Sequence, residues 1–113
     1  MSVDAITLAA KALDGLHMRS GALAYNLANV NSPRFQALEV NFESALRQAS
    51  AGGQQSVETV EFRFTAGRAY AVTEDRREDM MLVDASTNAM RYAALADMTS
   101  RRLAILSASI GAR

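Results

Sequence analysis

The sequence predicts a mainly α-helical chain, with two long terminal helices carrying coiled-coil heptads and a middle that holds a short helix and a small β-hairpin. Three observations lead there. Ile6, Ala9, Leu13, Leu16, Ser20, Leu23, Leu27 and Val30 keep a 3-4-3-4 spacing that only Ser20 interrupts. A second 3-4 series, Leu82, Ala85, Ala89, Tyr92, Ala96, Thr99, Leu103, Leu106 and Ile110, runs to Gly111. Between the two lie a glycine pair and a run of alternating polar and apolar residues. The 113 residues suit one domain: an N-terminal helix over 1–31, a corner, short helix, loop and hairpin over 32–75, and a C-terminal helix over 76–113.

In the first helix Ser2 is placed to cap, and Asp4 falls in the first turn, where a negative charge suits the macrodipole. From there to Asn29 is about 26 residues, or about 39 Å. Gly15 and Gly21 lie inside it, each costing about 1 kcal/mol against alanine; the same two residues would admit a close neighbour to the helix backbone. Pro33 lacks an N–H and biases Ser32 away from helical angles, while Asn29 and Asn31 tolerate the left-handed conformation at a helix end. The helix therefore stops and the chain turns. Phe35, Ala37, Leu38, Val40 and Phe42 then offer apolar groups that a returning chain lays against the first helix.

A short helix follows, with Asn41 as cap and Phe42, Ala45, Leu46 and Ala49 on one face. Residues 50–56, Ser-Ala-Gly-Gly-Gln-Gln-Ser, read as a flexible loop. Val60, Phe62 and Phe64 alternate with Glu61, Arg63 and Thr65, and Ala66-Gly67-Arg68 separates them from Ala69-Tyr70-Ala71-Val72; this is the expected hairpin, which needs support because a lone hairpin is marginal in water. Asp75-Arg76-Arg77-Glu78 has capping-box spacing for the last helix, though Asp84, Ser86, Thr87 and Asn88 weaken its early turns and allow a start as late as Asp84. A second stripe, Val83, Met90, Leu95, Met98 and Ile105, gives this helix more than one apolar side.

Half of the residues are hydrophobic, yet only 6% are aromatic and alanine supplies much of the rest, so each buried side chain contributes little area. Helices that pack against partners fit this better than a compact monomer. The 12 basic and 12 acidic side chains cancel and intermix, which argues against nucleic acid or an anionic membrane as partner. No cysteine is present, excluding disulfides and thiolate-held metal. No run is long and apolar enough for a membrane span, and the start lacks the basic-then-greasy pattern of a cleaved secretory signal.

Catalytic constellations are missing. His17 has only Asp14 at a useful helical spacing, too few ligands for a metal, and reads as a surface or interface histidine. No serine sits in a nucleophile elbow, and no phosphate-binding glycine loop occurs. The acids from Glu58 to Asp79 lie beside arginines and read as solvated. Arg101 is set to pair with Asp97 four residues earlier, and Met80, Met81, Met90 and Met98 suit adaptable packing. No enzymatic activity, cofactor or metal is expected.

The run Arg19…Asn26-Leu27-Ala28-Asn29…Ser32-Pro33-Arg34-Phe35-Gln36-Ala37…Val40-Asn41-Phe42-Glu43…Leu46 resembles the N-terminal signature of flagellar basal-body rod proteins, nearest to their proximal rod subunits. That signature has Asn-Ile-Ala-Asn, then Thr-Pro-Gly-Tyr-Lys-Ala, then Asp-Phe-Glu. Ser32 and Phe35 keep the chemistry of its threonine and tyrosine, and Arg34 takes the place of its glycine. Asn88, Arg91-Tyr92 and Leu103 are similar to its C-terminal pattern, whereas residues 80–84 lack a glutamate usual there and residues 47–75 add nothing. The resemblance implies a structural subunit of the periplasmic rod that transmits torque from motor to hook in bacterial motility. It implies uncleaved type III export through the flagellar apparatus, and polymerisation with self-copies and other rod proteins through the terminal helices. Residues expected to mediate this are Leu13, Leu16, Leu23, Asn26, Leu27, Asn29, Val30, Pro33, Phe35, Phe42, Asn88, Tyr92, Leu103, Leu106 and Ile110. The heptads alone are equally served by pairing within one chain or between chains, and a soluble adaptor or export chaperone forming a closed coiled-coil dimer is the alternative.

Overall fold

A computed structural model of the chain describes residues 3–67 and 74–111. Four helices and one two-stranded antiparallel sheet are present among them: α1 (Ala5–Asn29), β1 (Leu38–Glu39), α2 (Phe42–Ala51), α3 (Gln54–Thr59), β2 (Thr65–Ala66) and α4 (Glu74–Gly111). The mainly helical class and the long terminal helices are as the spacing predicts. Ser2 lies outside the described residues, and the cap of α1 is Asp4, whose carboxylate accepts from the Ile6 N–H at 3.2 Å.

Helices α1 and α4 pack side by side and antiparallel in one chain. Asn31 lies opposite Glu78 at one end, and Asn88 reaches Leu16 and Ser20 further along. Seam residues Leu16, Leu23 and Val30 are buried, with Met81 fully buried across from them. Of the two arrangements the heptads allow, pairing within one chain is the one that α1 adopts: its own chain covers its seam. On α4 the covered stripe is Met81, Ala85, Asn88, Leu95, Ala96 and Thr99; the expected Ala85, Ala96 and Thr99 belong to it, whereas Leu82 and Ala89 are exposed, their places taken by Met81 and Asn88 one position earlier. The shift follows from Asn88, a polar residue that the apolar pattern skips but whose hydrogen bonds admit it to the seam.

The chain turns at residues 30–34 and returns over a second face of α1. There Leu16, Ala22, Val40 and Phe42 form a core, with Ala12, Met18, Leu38, Phe62 and Leu95 against it. The expected flexible loop at 50–56 is a correction: α2 continues to Ala51, Gly53 turns the chain at φ 96°, and α3 begins at Gln54. Tertiary contacts order it. Gln54 accepts from the Asp4 N–H at 2.8 Å and donates to Thr7 and Glu58, and Val57 is fully buried.

The small antiparallel pair also exists, but with different partners. Leu38 pairs with Ala66 and Glu39 with Thr65, so β1 comes from the returning corner and not from the adjacent run. Residues 60–64 form no strand, and the expected second arm, 69–72, falls outside the described residues. Helix α4 starts at Glu74, placing Asp75 inside it and excluding the late start at Asp84. Burial of Met81 against α1 outweighs the weak propensity of the following polar residues. No helix among the described residues is long and apolar enough to cross a membrane.

Candidate assembly interface

Asn26 is the polar residue that fixes the returning segment. Its side-chain nitrogen donates to the Leu38 carbonyl at 2.9 Å, and its oxygen accepts from the Leu38 N–H at 2.8 Å. Ala37 accepts from the Gly67 N–H on the other side, so Asn26 occupies the edge of β1 that a further strand would take. Buried at 1% exposure, the amide is satisfied by a backbone whose own groups it satisfies in return.

Arg19, one helical turn ahead of Leu23, ties α1 to α2. It donates to both Glu43 carboxylate oxygens and to the Val40 carbonyl at 2.8 Å, and its guanidinium carbon stands 4.5 Å from the Phe42 ring centroid. The Arg19 hydrogen bonds hold the Glu43 carboxyl below its ordinary value near 4.5, partial burial opposing this. Gly15 explains how Phe42 comes so near: a Cβ at that position would overlap the ring. Nothing lies near Gly21, so the close-approach reading holds for one of the two glycines.

Asn88 forms a polar layer within the α1–α4 seam. Its amide donates to the Leu16 carbonyl and the Ser20 hydroxyl, each at 2.9 Å, so Ser20, the break in the N-terminal heptads, meets a polar residue that lies outside the C-terminal apolar series. Such a layer penalises sliding of one helix along the other. Arg19, Asn26, Leu38, Asp84, Asn88 and Arg91 line a cleft of about 560 Å³ beside it.

Beyond the seam the picture reverses. Helix α4 spans about 57 Å against about 37 Å for α1, within a molecule 61 Å long. Paired antiparallel from Glu78, α4 runs out past the start of α1, and every residue from Ser100 to Gly111 is exposed. Leu103 is 46%, Leu106 43% and Ile110 72% exposed, although they continue the stripe that is covered higher up. The outward stripe of Val83, Met90, Met98 and Ile105 is uncovered along the whole helix. The expected surface pair of Arg101 and Asp97 forms at 3.1 Å.

The residues expected from the sequence thus separate into two sets. Leu16, Leu23, Asn26, Val30, Phe42 and Asn88 are interior and hold the chain together, as Leu13, Leu27, Asn29 and Phe35 do in part. Being covered by their own chain, the interior ones offer no contact to a neighbour in this conformation. Tyr92, Leu103, Leu106 and Ile110 present surface, and Pro33 is exposed at the corner. Sequence reasoning missed the bridging role of Gln54, for which glutamine in a glycine-rich stretch gives no signal, and the placement of Arg19 on Phe42 and Glu43, for which the partners lie 23 and 24 positions away.

No model of a known protein family matches the chain, and no curated protein matches it in sequence.

Proposed function

We propose that the chain is a structural subunit of the bacterial flagellar basal-body rod, of the proximal type, and polymerises with copies of itself and with related rod proteins. The observation that carries this reading is the corner after α1. Arg34 adopts φ 58°, in the left-handed region that glycine enters freely and an arginine only at a cost. It stands at the position where the rod signature has glycine, so the backbone keeps the conformation that the glycine serves. Asn26, from the same signature, clamps the returning segment, and the bare end of α4 supplies apolar surface for a neighbour.

In this role the paired termini form the stiff part of each subunit, and torque passes through contacts between subunits. Export without cleavage through the flagellar type III apparatus, with assembly in the periplasm, belongs to the same proposal. Deleting the gene in its flagellated host is expected to abolish motility and leave basal bodies without a rod, with the chain found in basal bodies isolated from the parent. Unchanged motility in the deletion strain, with the chain missing from the parent's basal bodies, rejects the reading. A closed dimer, the chaperone alternative, would show by sedimentation as a single species of twice the chain mass that stops growing with concentration.

A further inference from the structure

We infer that copies of this chain join tail to head through α4, residues 101–106 of one copy lying on residues 78–83 of the next. The two stretches have one pattern with opposite charge. The first reads Glu78-Asp79-Met80-Met81-Leu82-Val83 and the second Arg101-Arg102-Leu103-Ala104-Ile105-Leu106. Both sit on the same helix, one near its start and one in its overhang. Parallel packing that brings the arginines beside the acids therefore also brings Leu103 to Met80 and Leu106 to Val83, with no adjustment of register.

Both stretches are available. Met80, Leu82 and Val83 are 42%, 52% and 63% exposed, in the same range as Leu103 and Leu106, and Ile105 is 69% exposed. The charged residues are exposed too. Arg101 already meets Asp97 and Glu78 accepts from Asn31 at 3.4 Å, but a guanidinium has five donors and a carboxylate several lone pairs, so each retains capacity for a second partner.

Charge also selects this pairing over its rival. Two overhangs crossing around a two-fold axis would bury the same leucines but offer Arg101 and Arg102 no acidic partner, since residues 98–113 contain no Asp or Glu. A tail-to-head contact joins two different surfaces and so leaves a free head and a free tail on every assembly, which grows without closing. The contact is short and lies at the low end of interface sizes, so a single joint is expected to have a Kd between about 10 µM and 1 mM. This inference deepens the rod reading but does not need it, since in vitro self-association is measured apart from motility.

Mixing of singly broken chains tests it. Leu106→Asp spoils the tail and Val83→Asp the head; both positions are exposed, and unchanged circular dichroism would show that each variant folds. Each alone is expected to sediment as a monomer at concentrations where the parent chain grows steadily heavier. An equal mixture is expected to give a species of two chains and nothing larger, because one intact tail meets one intact head. Arg101→Glu with Arg102→Glu is expected to weaken association at least tenfold, and a partner carrying Glu78→Arg with Asp79→Arg to restore it. A parent chain monomeric at 1 mM, a parent plateau at two chains, or a mixture that stays monomeric overturns the inference.

Discussion

The two terminal helices carry the same kind of heptad and meet opposite fates. Helix α1 is covered on two faces, one by α4 and one by the segment that returns through β1 and α2, with Leu16 contributing to the core. Helix α4 is covered on one face only, and only as far as α1 reaches. Thr99 is half-buried and Leu103, one turn on and in the same stripe, is nearly half exposed. Identical spacing thus gives either a core or a surface, depending on whether another element extends far enough to cover it.

The largest test of this contrast is a pair of truncations. Leu16→Ala is expected to lower stability by about 3 kcal/mol, while Leu106→Ala changes it by less than about 0.5 kcal/mol in dilute solution, read by urea unfolding. Comparable losses would mean that the overhang is covered after all. A smaller contrast compares the glycines of α1. Gly15→Ala is expected to destabilise by about 2 kcal/mol, because the Phe42 ring has to move away from the new Cβ, whereas Gly21→Ala gains about 1 kcal/mol from helix propensity. A gain at both sites would show that the second covered face of α1 is loosely packed.

Next in size is the corner that makes the second face possible. Arg34→Gly relieves a left-handed residue and is expected to raise the unfolding free energy by about 1 kcal/mol, observed as a higher melting temperature. The smallest effect concerns Glu43, about half exposed in its ion pair with Arg19. Its carboxyl titrates below its ordinary value in the fold, so its contribution is complete above about pH 4.5 and disappears as pH falls through the folded value. The difference in urea midpoint between the parent chain and Glu43→Gln is therefore expected to shrink from pH 6 to pH 3, and a difference that widened would refute the assignment.

Much of this was legible in the residues. The 3-4 spacings mark both helices, Pro33 marks the corner, and the step from Asn41 to Phe42 marks the start of α2. The left-handed residue of the corner is nevertheless Arg34 and not Asn29 or Asn31, and the Asn41 side chain makes no cap hydrogen bond. What misled were local readings of stretches whose conformation is set from afar. Residues 50–56 look like loop because Gly52 and Gly53 dominate any local window, yet Gln54 hydrogen-bonds the start of α1 and Val57 is buried. The period-two run at 60–64 looks like half of a hairpin, yet the paired strand is Leu38–Glu39, placed by Asn26 and by the reversal at Arg34. Of the residues expected to mediate assembly, spacing identified the apolar ones but not which of them the chain itself covers.

By itself the sequence determined where helices form and which of their sides are apolar, because periodicity and stop signals act within a few turns of backbone. Only the tertiary structure decided that Ser20 meets Asn88, that α1 is sheltered twice, and that Leu103, Leu106 and Ile110 are left bare. Burial depends on relative length and direction: α4 is 38 residues long and α1 25, and an antiparallel pair joined at one end must leave the longer helix uncovered at the other.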